Sequence, residues 1–248
     1  MSDLAVEVHN LKKSYGAVEA VGGIDLHVAR GEVFALLGPN GAGKTTTVEI
    51  LEGYRQRDGG EATVLGFDPA RNQTDFKRRI GIVLQETGVE VYLTVAEVIE
   101  LHRGYYPAPR PLDDIIQVVG LAEKRDSRVN KLSGGQKRRL DVAVGLAGDP
   151  ELLFLDEPTT GFDPSARRNA WGMVKDLQAL GKTVFLTTHY MDEAQYLADR
   201  VAIIAGGRIV AEGAPNTLGG RESAATRITF RLPAGAALPV DLSAHAST

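Results

Sequence analysis

The chain has no cysteine among its 248 residues, which excludes disulfides and thiolate chemistry and fits a reducing cytoplasm. It has no excess of positive charge. Lys and Arg number 28 against 32 Asp and Glu, a formal net charge of -4, whereas a dedicated nucleic-acid binder needs a basic face. No apolar run approaches the roughly 18 residues of a membrane span. The opening Met1-Ser2-Asp3-Leu4 lacks the basic-then-apolar layout of a signal peptide. These absences predict a cytoplasmic protein whose membrane role, if it has one, comes through a partner. What remains is ordinary for a globular chain, 43% hydrophobic and 24% charged, with length for one large domain or two small ones.

The most informative stretch is Gly38-Pro39-Asn40-Gly41-Ala42-Gly43-Lys44-Thr45-Thr46. An apolar run, Val33-Phe34-Ala35-Leu36-Leu37, precedes it and reads as a buried strand; Thr47-Val48-Glu49-Ile50-Leu51 follows and reads as a helix. Strand, Gly-rich turn and helix, with Lys and Thr closing the turn, form the context of a phosphate-binding loop. Glycines let main-chain N–H groups converge on phosphate oxygens, and the helix N-terminus adds partial positive charge. Lys44 would pair with the β- and γ-phosphates and the Thr45 hydroxyl would ligate Mg²⁺.

Around this loop, residues 4–15 and 18–28 alternate apolar and polar positions about the turn Tyr15-Gly16-Ala17, as two half-exposed antiparallel strands do. Tyr15 is either a strand-end aromatic packed on the sheet or a platform for an adenine ring. Residues 59–65 predict a strand, 74–79 a short surface helix, and 80–84 a buried strand ending at Gln85, an edge where open parallel sheets bind ligands. A helical insertion follows. Thr94 and Glu97 form a capping box with a Leu93–Val98 staple, three prolines at 107, 109 and 111 break the chain, and Leu112, Ile115, Ile116 and Val119 mark a second helix. A third helix follows Leu132-Ser133-Gly134-Gly135-Gln136. Ser133 and Gln136 suit a capping box, yet two glycines in a first turn each cost about 1 kcal/mol relative to Ala. They make sense where something, such as a phosphate, must approach the backbone closely.

Leu152-Leu153-Phe154-Leu155 is a fully apolar strand that delivers Asp156 and Glu157 at its end. Adjacent carboxylates there repel each other and lose solvent, so a cation or proton should compensate them. Asp156 fits a Mg²⁺-associated acid, and Glu157 can polarise a water for attack on the γ-phosphate. Asp163-Pro164 suits a helix start as N-cap and N1, with a buried stripe at Ala170, Met173, Val174 and Leu177. Residues 183–188 predict another buried strand, ending in His189 on the edge shared by Lys44, Gln85 and Glu157. A hairpin is expected over 200–213, and a further strand over 227–232.

Taken together, the chain resembles the ATPase subunits of ATP-binding cassette (ABC) transporters. The matching motifs run over residues 15–189: the Walker A loop at 38–46, the Q-loop glutamine at Gln85, the signature at 132–136, the Walker B strand at 152–158, the D-loop around Asp163 and the switch histidine His189. Tyr15 falls where the family places its adenine-stacking aromatic. Phe162 departs from the family, which more often has Leu there. Gln85-Glu86-Thr87, Leu51-Glu52-Gly53-Tyr54 and the Phe162 form of the D-loop look like the drug and antibiotic exporter subgroup.

The resemblance implies an α/β P-loop NTPase core with a mixed, largely parallel sheet, an N-terminal antiparallel β-subdomain and a helical subdomain inserted at about 87–147. The nucleotide-binding domain would span 1–221, with 222–248 as a tail that starts an extension. It also implies catalysis by Glu157, His189 and Lys44, Mg²⁺ ligation by Thr45, Gln85 and Asp156, and a head-to-tail dimer with an identical or closely similar ATPase subunit. In that dimer Ser133, Gly134, Gly135, Gln136 and Asp163 would reach the partner's ATP. A membrane-spanning permease would hold the protein on the inner face of the membrane, with no nucleic-acid partner. An importer ATPase would use the same catalytic residues. Non-transport relatives acting on DNA or ribosomes carry coiled coils, zinc modules or two cassettes, and none of these is visible in the sequence.

Overall fold

The computed structural model describes residues 3–71, 73–83, 88–160, 162 and 164–218. Gln85, Asp163 and the strand expected over 227–232 lie outside the described residues, as does the tail over 222–248.

Strands β1 (Leu4–Tyr15), β2 (Val18–Ala29) and β4 (Gly59–Val64) form a three-stranded antiparallel sheet in the order β2-β1-β4. The second sheet comprises β3 (Val33–Leu37), β5 (Ile80–Val83), β6 (Leu152–Asp156), β7 (Thr183–Thr188), β8 (Arg200–Ala205) and β9 (Arg208–Gly213). Its order is β5-β6-β7-β3-β8-β9, parallel through β8 and closed at the edge by the antiparallel β8–β9 hairpin.

Side chains on a strand alternate between faces, and this sheet is apolar on both. In β3, Val33, Ala35 and Leu37 enter one core while Phe34 and Leu36 enter another. The second core joins the antiparallel sheet and α1 (Lys44–Leu51) to the large sheet. Phe185 anchors it, its ring centroid 5.2 Å from that of Phe34 and 5.6 Å from that of Phe154. Truncating such a buried Phe to Ala costs about 3–5 kcal/mol.

The other face packs on helices. Between β5 and β6 the chain forms α3 (Val95–Arg103), α4 (Leu112–Val118) and α5 (Gly134–Gly145). Thr94 Oγ1 accepts from Glu97 N–H at 3.2 Å and Thr94 N–H donates to Glu97 Oε2 at 2.7 Å, completing the expected capping box. Val98 is buried, and Leu93 packs on the same core. A short helix α2 (Thr74–Arg79) precedes β5, and α6 (Pro164–Ala179) begins at the expected proline. Helix α7 (Met191–Leu197), just past β7, has no counterpart in the sequence reading.

The sheet order positions the site. Asp156 pairs in register with Thr187, and Thr188 with Leu37, so β6, β7 and β3 end side by side. Their C-terminal ends bring the loop at 38–46, the two acidic residues and His189 to one sheet edge, where open α/β sheets bind ligands.

Candidate active site

The loop at 38–46 is shaped by close backbone approaches. A Cβ on Gly38 would stand 2.3 Å from the Ile204 carbonyl oxygen, and one on Gly43 would stand 2.4 Å from that of Ala20. Gly43 also has φ +106°, a conformation open to glycine at little cost. Helix α1 therefore begins at Lys44, three residues earlier than its apolar pattern suggests. It has no side-chain cap and no acidic residue in its first turn. The orphan N–H groups and positive dipole end of that turn are left unanswered by the chain itself. Asn40, Gly41, Gly43, Lys44, Thr45 and Thr46 line a cavity of about 300 Å³ with Ala20 and Glu157.

Lys44 is buried. Its Nζ donates to the carbonyls of Gly38 at 2.8 Å and Pro39 at 3.2 Å, and stands 3.2 Å from Glu157 Oε1. Thr160 Oγ1 donates to Glu157 Oε2 at 2.9 Å. Burial would raise the Glu157 carboxyl, but the hydrogen bonds from Thr160 and Lys44, with the charges of Lys44 and His189, hold it below its ordinary value. Its neighbour shifts the other way. Burial pushes Asp156 up despite the bond from Thr187, and the charge of Glu157 adds to that push. One acid is thus held ionised, while the other carries a desolvated charge that a cation would relieve.

A single hydroxyl orders both. Thr187 Oγ1 donates to Asp156 Oδ1 at 2.5 Å and accepts from the Glu157 N–H at 3.0 Å. Glu157 has φ +45°, the sparsely populated left-handed region for a residue with a Cβ, and strain of this kind persists only where neighbours enforce it. Arg138, from α5, supplies further restraint. Its Nε donates to the Pro158 carbonyl at 3.1 Å and its Nη2 to the Asp156 carbonyl at 3.2 Å. Beneath the acids, Thr159 and Trp171 donate to Glu193 Oε1 at 2.8 and 3.1 Å.

Thr187, Arg138 and Glu193 were not singled out from the sequence, and Thr160 was named only as the first residue of the D-loop form Thr160-Gly161-Phe162-Asp163-Pro164. Thr187 carries the clearest signal, a polar residue following the apolar run Val184-Phe185-Leu186 and two positions before His189.

His189 stands just past β7, its Nδ1 3.3 Å from Glu157 Oε2 but without hydrogen-bond alignment, so that this buried nitrogen has no hydrogen-bond partner among the described residues. Tyr15 ends β1, partly exposed, with the Arg55 guanidinium 5.2 Å from its ring centroid; it is not among the residues lining the cavity. The exposed Ser133 caps α5 through a full capping box with Gln136. A Cβ on Gly134 or Gly135 would meet nothing within 4 Å, so the chain's own packing does not demand glycine at either place. Ser133, Gly134, Gly135 and Gln136 do not line the cavity at 38–46.

The residues fit a nucleoside triphosphate. An uncapped helix N-terminus, a buried lysine and Glu157 line one cavity, and the His189 Nδ1 stands 3.3 Å from Glu157 Oε2 beside it. They also suit Mg²⁺, which takes few protein ligands when phosphates complete its shell. The Thr45 hydroxyl and the Asp156 carboxylate are hard oxygen donors, and no cluster of three His, Cys, Asp or Glu occurs among the described residues.

Comparison with known proteins agrees with this geometry. The family described as ABC transporter matches residues 21–160. Nod factor export ATP-binding protein I of Paraburkholderia xenovorans is 42% identical over 88% of this chain and 73% of its own length. The daunorubicin/doxorubicin resistance ATP-binding protein DrrA of Streptomyces peucetius is 43% identical over 86% of this chain and 66% of its own. Among solved structures, cbiO1 of Clostridium perfringens, part of the ABC transporter complex cbiONQ, superposes with a TM-score of 0.81 at 27% identity, covering 89% of this chain and 92% of that one. A dimeric ATP-binding cassette in a post-hydrolysis state, bound to ADP and Pi, gives 0.74 at 25% identity over 85% and 98%.

Proposed function

The chain belongs to the ABC transporter family and is an ATP-hydrolysing subunit of such a transporter, and from that premise we propose that it powers export of a drug, antibiotic or other amphipathic compound through a separate permease. Relatives named for export and drug resistance support the direction of transport. No helix among the described residues is long and apolar enough to cross a membrane, which suits a subunit that works on the cytoplasmic face through its partner.

The observation that carries the mechanism is the cluster of Lys44, Glu157 and His189 at the floor of the phosphate loop, with contacts of 3.2 and 3.3 Å. ATP is the substrate, its phosphates received by the loop and the first turn of α1. Lys44 gives up Glu157 to pair with the β- and γ-phosphates. The freed carboxylate, already held ionised, orients a water and takes its proton as that water attacks the γ-phosphate. His189 turns its unpartnered nitrogen to the reacting group. Thr45 and Asp156, with Gln85 as a further ligand, would hold a Mg²⁺ ion, which when bound would supply charge neutralisation on the phosphate oxygens. Tyr15 with its cationic neighbour Arg55 would receive the adenine ring.

Ser133, Gly134, Gly135 and Gln136 act on the ATP of a second subunit, as does Asp163. Support comes from the exposed start of α5 and the open space at both glycines. Specific ATPase activity measured against chain concentration tests this. The proposal expects activity per chain to rise with concentration and then saturate. Constant activity down to high dilution would contradict it.

A further inference from the structure

Glu193, in the first turn of α7, is only 1% exposed and does not line the cavity at 38–46. Its Oε1 accepts from Thr159 Oγ1 at 2.8 Å and from Trp171 Nε1 at 3.1 Å. Burial pushes this carboxyl group above its ordinary value, while hydrogen bonds from Thr188, Thr159 and Trp171 and the charge of Arg167 act against that push. An acid in such a place is costly, and an apolar side chain of similar volume is often as stable or more so. Packing alone gives no reason for it.

Its partners do. Thr159 stands two residues after Glu157, in a turn closed by the Thr160 N–H on the Glu157 carbonyl at 3.2 Å. Thr188 directly precedes His189, and its hydroxyl accepts from the Tyr190 N–H at 3.0 Å, closing the turn that carries His189. Trp171 belongs to α6. One carboxylate thus joins the turn bearing Glu157 to the turn bearing His189 and fastens both to α6. A second tie runs from the same helix. The Arg167 guanidinium lies 3.8 Å from the Tyr190 ring centroid, which is 4.0 Å from that of His189. Both turns need holding. Glu157 sits at φ +45°, which neighbours must enforce, and the His189 Nδ1 has no hydrogen-bond partner among the described residues.

We infer that Glu193 is a positioning residue for ATP hydrolysis, which through Thr159 and Thr188 sets the placement of Glu157 against His189. The inference rests on the roles proposed above for those two residues.

The test measures single-turnover hydrolysis and ATP affinity on the full chain and on Glu193→Leu, Glu193→Gln and Thr159→Val, with Glu157→Gln alongside. Glu193→Leu should lose about 10- to 100-fold in hydrolysis rate, the effect of a small misplacement of reacting groups. ATP affinity should stay within about twofold, since ground-state contacts are untouched. Glu193→Gln keeps an oxygen acceptor for Thr159 and Trp171 and should recover hydrolysis to within about fivefold of the parent chain. Thr159→Val should fall as Glu193→Leu does, and the double variant should be no slower than the slower single one, because both break the same link. Trp171 is the only tryptophan in the chain, so urea unfolding followed by its emission verifies that each variant is folded. Should Glu193→Leu fail to fold, Thr159→Val carries the same expectation. Parent-like hydrolysis by folded Glu193→Leu and Thr159→Val would overturn the inference. So would equal losses in the Leu and Gln variants, or ATP affinity falling in step with the rate. Near-normal hydrolysis by Glu157→Gln would instead contradict the role of Glu157, which separates failure of that reading from failure of this one.

Discussion

Lys44 Nζ stands 3.2 Å from Glu157 Oε1, joining the phosphate loop to the end of β6 by an ion pair whose side chains are 5% and 13% exposed. At this burial neither charge is well hydrated, so each depends on the other. Lys44→Ala should therefore weaken ATP binding by about 10- to 150-fold, the equivalent of a lost charge-assisted contact of about 1.5–3 kcal/mol. Equilibrium titration with a fluorescent ATP analogue measures it, and undiminished affinity would exclude Lys44 from the phosphate site.

Thr187 supports a second prediction, because its hydroxyl serves both acids at once. Thr187→Val keeps the shape and removes the bridge. Stability should fall by about 1–3 kcal/mol as the Glu157 N–H loses its acceptor. Turnover should fall on the order of 10- to 100-fold, since small misplacements of reacting groups have effects of that size. ATP affinity should change little. A variant with normal turnover would show that the bridge does not position the acids.

Much of this site was legible in the sequence because its parts are local. The glycines, Lys44 and Thr45 occupy nine consecutive residues between a strand and a helix, and Asp156 and Glu157 sit at the end of an apolar run. What escaped depends on contacts between distant segments. Arg138 reads as one more charge on a helix until its guanidinium is seen on the carbonyls of Asp156 and Pro158. Glu52 enters the sequence reading only within Leu51-Glu52-Gly53-Tyr54, a subgroup likeness, and only tertiary packing buries it. Helix α7 was missed because it is seven residues long and its N-cap, Tyr190, offers no capping side chain. The placement of β3 between β7 and β8 likewise has no local signature.

The proposed sharing of the site between two copies makes a mixing prediction. Chains carrying Lys44→Ala and chains carrying Ser133→Arg should each be inactive alone. Mixed in equal amounts, they should recover about a quarter of the parent ATPase rate, because random pairing gives half mixed dimers with one intact site each. No recovery after mixing would contradict a site built from two copies of this chain.

Glu52 governs a pH effect on stability. Its carboxyl group is raised in the folded chain from 4.5 to about 8. Below about pH 4.5 it is protonated in both states and has no effect. Between the two values the unfolded chain ionises first, so stability is lost as pH rises through that window. Glu52→Gln removes the titration. The variant should gain on the parent chain progressively from pH 5 to 9, approaching roughly 3–5 kcal/mol. Urea unfolding across that range measures the difference, and a constant offset would refute the shift.

The central claim is that Glu157 activates the attacking water. Glu157→Gln keeps the size of the side chain and frees Lys44 from its ion pair, so ATP binding should be retained or tightened. Single-turnover hydrolysis of bound ATP measures the chemical step directly. The account predicts a loss on the order of 10²–10⁴-fold, the contribution of a positioned general base. Near-normal hydrolysis by Glu157→Gln would contradict it.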